Sequence, residues 1–113
     1  MKQLTILHID FEKTWRGGQQ QLFWLVEGLE KRGHRNFVLC QPKSAVSIKL
    51  QKNFFNIKMF FEFDPVAIYK TAKIIDKIRP DIVHLHSAHA HTIGLLASKI
   101  SSLSAWASFL MLT

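Results

Sequence analysis

Within its first hundred residues the chain alternates four short apolar runs with four stretches of helical periodicity, an order that few architectures accommodate. Leu4-Thr5-Ile6-Leu7-His8-Ile9 is apolar along most of its length rather than at every second residue, the pattern of a strand covered on both faces. From Gln19 to Arg32, Leu22, Leu25, Val26 and Leu29 follow the spacing of one helical stripe, and Gly33 can end that helix in the left-handed conformation. Asn36 to Cys40 reads as a second strand, Pro42 breaks it, and Ser44 caps a short helix reaching about Lys52. Ile57 to Phe61 is expected as the third strand. Asp64-Pro65 is an N-cap followed by proline, after which Ile68, Ala72, Ile75 and Ile78 carry the buried stripe until Pro80. Asp81 to His86 makes the fourth strand, and Ser87 caps a helix from Ala88 to about Ile100. The fold class is therefore α/β, a Rossmann-like, doubly wound parallel sheet of strand order 3-2-1-4 with right-handed crossovers.

The 113 residues have room for one domain. A composition of 48% hydrophobic and 20% charged residues excludes a disordered chain and a collagen-like repeat. The one cysteine, Cys40, cannot form an internal disulfide, which suits a reducing, cytoplasmic setting. The apolar runs at either end are shorter than the ~18 residues of a membrane span. Fifteen basic against eight acidic residues give a net charge of +7, which favours an anionic partner without naming one. Lys70, Lys73 and Lys77 share one face of the third helix, a solvated face or one that could rest on anionic lipid at the inner side of a membrane. Nucleic acid is not expected, because Phe54, Phe55, Phe60, Phe61 and Phe63 gather around the expected third strand and offer no stacking platform.

In a sheet of this order the ligand crevice opens between the first and fourth strands, beyond their carboxyl ends. Two loops meet there. One holds Trp15-Arg16-Gly17-Gly18 before a helix N-terminus, where Gly17 and Gly18 either allow a phosphate or sugar to approach the backbone or only make a tight turn. No Walker A sequence or Gly-x-Gly-x-x-Gly is present, which removes the main support for a nucleotide triphosphatase or a nicotinamide enzyme. The other loop holds His86, Ser87 and His89. His84, His86 and His89 share the spacing of metallo-β-lactamase zinc sites, but Ala88 stands where those sites place an aspartate. No metal and no cofactor are expected. His84 reads as a buried, hydrogen-bonded strand residue, His86 and His89 as ligand contacts, and His8 and His34 as structural or exposed.

The segments Ile6-Leu7-His8-Ile9, Trp15 to Gln19, Leu29-Glu30-Lys31-Arg32-Gly33-His34 and Arg79-Pro80-Asp81-Ile82-Val83-His84-Leu85-His86-Ser87 resemble the N-terminal domain of family-4 glycosyltransferases of the GT-B fold. The resemblance covers residues 1 to about 100. It implies a retaining, metal-independent transfer of a sugar from a nucleotide-sugar to an acceptor held in the cleft between two Rossmann-like domains. It also implies that Gly17 and Gly18, with Arg16 beside them, approach the donor phosphate or the transferred sugar, while His86, Ser87 and His89 lie on the acceptor side. The donor-gripping C-terminal domain of the family has no counterpart in these residues.

Residues 1–100 are thus expected to form a partial, acceptor-side domain, and 101–113 a hydrophobic tail unlike the family, as in a truncated chain. The expected function is the acceptor-side part of a glycosyltransferase, inactive alone. The alternatives are a sugar- or phosphate-binding module, a subunit of a split transferase paired with a separate C-terminal half, and a zinc metallohydrolase fragment. An unpaired edge on the fourth strand invites self-association unless the tail, in which Ser104 to Leu112 holds Trp106, Phe109, Leu110, Met111 and Leu112, adds a fifth strand or covers an exposed helix face.

Overall fold

A computed structural model describes residues 3–14, 17–49, 54–60, 64–86, 88–100 and 110–112. Strand β1 (Thr5–Asp10) is followed by α1 (Gly17–Lys31), β2 (Arg35–Cys40), α2 (Ala45–Lys49), β3 (Phe54–Asn56), α3 (Pro65–Ile78), β4 (Ile82–Leu85), α4 (Ala88–Ile100) and β5 (Leu110–Leu112). The sheet order is β3-β2-β1-β4-β5, and each pair of neighbours is parallel. The expected order 3-2-1-4 is found, and residues of the tail do add a fifth strand, with Leu110 opposite Ile82 and Leu112 opposite His84.

Alternation along β1 divides the core in two. Leu7, Ile9 and Phe11 join Val83, Leu85 and the inner faces of α3 and α4 (Ala67, Ile68, Ala72, Ile75, Ala90, Ile93, Ala97). A smaller cluster of Leu22, Val26, Val38, Cys40 and Val46 lies under α1 and α2. Burial pushes the Cys40 thiol up to about 11, which makes it a packed apolar group and not a nucleophile. Gly94 lets α4 come close to β4, since a Cβ there would collide with the Leu85 side chain.

The caps follow from the sequence. Gly33 takes φ 87° after α1, and the Asp64 carboxylate accepts from the N-H groups of Val66 (2.9 Å) and Ala67 (3.3 Å) to open α3. The Ser44 hydroxyl accepts from Ser47 N-H at 3.2 Å to open α2. The helix is described from Ala45 to Lys49, and its expected end near Lys52 lies outside the described residues.

The third strand is the main correction. It occupies Phe54–Asn56, not Ile57 to Phe61, because its partner β2 ends at Cys40, opposite Asn56. Ile57 N-H still reaches Cys40 carbonyl at 3.0 Å. Beyond it, side chains take the backbone donors: Gln41 Oε1 accepts from Met59 N-H at 3.3 Å and Asp64 Oδ2 from Phe60 N-H at 3.1 Å. The aromatic cluster expected around this strand is also corrected. Phe54 and Phe55 are half-buried, whereas Phe60 is 72% exposed; Phe61 and Phe63 lie outside the described residues.

The Thr71 hydroxyl, buried on the inner face of α3, has no hydrogen-bond partner among the described residues. Thr71→Val keeps the shape and removes the desolvated hydroxyl, so it should stabilise the fold by about 1 kcal/mol. Thermal unfolding of both proteins tests this, and a lower melting temperature for the variant would refute it.

Candidate functional site

The direction of the chain changes sides between β1 and β4. After β1 it passes into α1 on one face of the sheet, and after β4 into α4 on the other, which opens a crevice at the carboxyl ends of these two neighbouring strands. His86 N-H bonds to the Ile9 carbonyl at 2.9 Å, so the end of β4 is anchored to the end of β1.

Asp10, the last residue of β1, is buried. One carboxylate oxygen accepts from Glu12 N-H at 2.9 Å and the other from the Gln19 side-chain amide, also at 2.9 Å. Gln19 is itself buried in the first turn of α1, so this pair ties the helix start to the strand end. Sequence periodicity missed it: a glutamine at the start of an amphipathic stretch reads as solvated, and its partner lies across the loop.

Gly17 and Gly18 form the first turn of α1 rather than preceding it, and both are exposed. Neither needs to be glycine for internal reasons. A Cβ on either would meet nothing within 4 Å, and neither has positive φ. The tight-turn reading therefore loses its basis, since two residues of poor helix propensity begin a helix that could hold alanine. Arg16 and Ser87 lie outside the described residues, as does the side chain of His89.

His8, His84 and His86 come together on the α1 side of the sheet. His8 pairs with His84 in register on one face of the sheet, and His86, two residues on and just past β4, joins them through its contact with His8. His8 is fully buried, with Nε2 at 3.0 Å from Asn36 Oδ1 and Nδ1 at 3.0 Å from His86 Nε2. Asn36 Nδ2 donates to the His34 carbonyl at 3.3 Å, which orients the amide. Its oxygen must therefore accept from His8 Nε2-H. Neutral His8 then has its lone pair on Nδ1 and accepts from His86 Nε2-H, and the remaining lone pair of His86 is on Nδ1.

Read as a buried, hydrogen-bonded histidine, His84 is instead half-buried, its ring centroid 4.0 Å from that of His86. His34 is structural, accepting from Leu4 N-H at 3.1 Å. His8 is structural by burial yet belongs to the cluster. Nothing in the sequence between residues 8 and 84 announces that pairing.

Burial holds all three imidazoles in the neutral form. Desolvation lowers His8 to about 4, against a hydrogen bond to Asn36 that favours the charged form. Desolvation and the other two histidines lower His86 to about 3, and desolvation lowers His84. Such groups can exchange hydrogen bonds with hydroxyls but carry no charge to an anion.

The sequence profile of Glycosyltransferase Family 4 matches residues 15–105. A glycosyltransferase structure from Rickettsia africae ESF-5 superposes with a TM-score of 0.67 at 22% identity, covering 98% of this chain and 29% of that one. No curated protein matches.

The histidines make stability depend on pH. Their folded values lie below the 6.5 of the unfolded chain, so on acidification the unfolded state takes up protons first. Stability should fall from about pH 6.5 towards pH 4, with a slope approaching about 1.4 kcal/mol per pH unit for each such histidine. Asp64, held below the usual carboxylate range first by Phe60 N-H, adds its loss only at more acid pH. The melting temperature should drop between about pH 7.5 and pH 5, and drop less in His86→Gln. A flat profile would contradict the buried neutral cluster.

Proposed function

This chain belongs to glycosyltransferase family 4, and from that premise we propose that it forms the acceptor-side part of an enzyme moving a sugar from a nucleotide-sugar to a glycan or lipid-linked glycan. The observation that carries this reading is a pair of open glycines in the first turn of α1, which follows β1, together with a neutral histidine just past the end of the neighbouring strand β4. Exposed N-H groups and the positive end of α1 suit a phosphate or sugar oxygen, and the missing Cβ atoms leave room for it. The His86 Nδ1 lone pair suits a sugar hydroxyl. Arg16 on the phosphate side, with Ser87 and His89 on the acceptor side, completes the proposed contact set.

The 113 residues span 29% of the Rickettsia africae enzyme, and the donor grip is assigned in this proposal to residues outside them. Stabilising a departing nucleoside diphosphate takes several preorganised donors. Residues 1–113 alone should therefore release no nucleotide from a nucleotide-sugar panel above background.

The face of α3 that carries Lys70, Lys73 and Lys77 also exposes Val66 and Tyr69. Lys73 Nζ lies 5.3 Å from the Tyr69 ring centroid. Basic and amphipathic groups side by side support docking of this face on anionic lipid, next to a lipid-linked acceptor. Among the described residues no helix is long and apolar enough to cross a membrane.

Amide chemical shifts of the labelled chain, titrated with nucleoside diphosphates and monosaccharides, test the site. Perturbations should concentrate at Gly17, Gly18 and His86, and Gly18→Val should weaken binding at least tenfold while Lys73→Ala leaves it unchanged. Gly18→Val should fold normally, since its side chain enters open space. Shifts confined to other regions, or equal binding by Gly18→Val, would overturn the proposal.

A further inference from the structure

His8, His84 and His86 each offer a ring nitrogen, and the three nitrogens lie within 4.8 Å of one another. From the sequence no metal is expected on this chain, an expectation drawn from His84, His86 and His89; this is a different set, and a metal on it would reverse that expectation. His8 and His84 stand in register on the neighbouring strands β1 and β4, and His86, just past β4, is tied to β1 by its N-H bond to the Ile9 carbonyl.

We propose that His8, His84 and His86 bind one borderline divalent cation of the zinc class. Imidazole nitrogens select zinc, cobalt, nickel or copper over magnesium and calcium, which prefer oxygen. In a tetrahedral zinc site each nitrogen lies about 2.0–2.1 Å from the ion, which puts nitrogens about 3.3 Å apart. His8 Nδ1 and His86 Nε2, at 3.0 Å, need to open by only a few tenths of an ångström. His84 is half-buried and closes on them by side-chain rotation. Three protein ligands leave a fourth position for water.

The proton balance is simple. His8 already presents a lone pair at Nδ1, because Asn36 fixes its hydrogen on Nε2. The ion takes the place of the hydrogen between His86 Nε2 and His8 Nδ1, and His86 then carries its hydrogen on Nδ1, so no proton is lost from the pair. Asn36 acts as the outer partner that holds a ligating imidazole in one tautomer and orientation.

This inference does not depend on the acceptor-side reading, and its test measures binding alone. The full chain, produced without a histidine tag, is titrated with cobalt, followed by its visible absorption, and with zinc against a chromophoric chelator. One ion per chain is expected. Affinity should fall at least tenfold in His84→Gln and in His86→Gln, and by about ten- to a hundredfold in Asn36→Ala, which removes no ligand. His89→Gln should bind normally. His8 is fully buried, so the His84 and His86 variants and Asn36→Ala decide the matter, each checked for cooperative unfolding. Absence of binding up to roughly 100 μM ion, a range that any specific three-imidazole zinc site should saturate, would overturn the proposal. So would binding that survives in the His84→Gln, His86→Gln double variant or disappears in His89→Gln.

Discussion

A strand in the middle of a parallel sheet, with elements on both faces, cannot leave a polar side chain to the solvent. Two such side chains lie on β1, His8 and Asp10, both fully buried. Each must find partners inside the protein, since an unpaired buried donor or acceptor costs about 1–3 kcal/mol. Asn36 on β2 and His86 beyond β4 satisfy His8, while Gln19 on α1 and the backbone of Glu12 bond to Asp10. These bonds run to the neighbouring element on every side. The polar requirements of one strand thus join β2, β4 and α1 at the end of the sheet where the crevice opens.

The apolar face of the same strand sets the arrangement in depth. Leu7, Ile9 and Phe11 pack under α3 and α4, and the close approach of Gly94 to Leu85 brings α4 down on β4. Among the described residues the apolar cluster of the opposite face lies near β2, under α1 and α2. The β1–β4 part of that face carries the histidines, with His84 and His86 half-buried. Two of the three imidazoles stand on paired strands, and the third, His86, is held to them by its backbone bond to Ile9 and its ring contact with His8.

Much of the fold was legible in the residues because its signals are local. Proline after Asp64, glycine after Arg32 and serine before Ala45 each dictate a cap through backbone geometry or a side-chain acceptor three residues away. The apolar run of Ile57 to Phe61 misled, because strand length depends on the partner: once β2 stops at Cys40, the donors beyond Ile57 turn to Gln41 and Asp64. The glycines and His86 could be placed at the crevice from strand order alone. Gln19 and His8 could not, since their partners are set by tertiary contact.

What the sequence by itself determined is the order of elements, the parallel sheet and the end of it where a ligand would sit, all consequences of periodicity, caps and the handedness of crossovers. Only the tertiary structure decided which histidines meet. His84 and His86 are neighbours by spacing, but His8 joins them because β1 and β4, separated by more than seventy residues, pair in the register that sets His8 beside His84. That register is selected by burial of Leu7, Ile9, Val83 and Leu85 on the far face, where a slip of one residue would turn the histidines into the core.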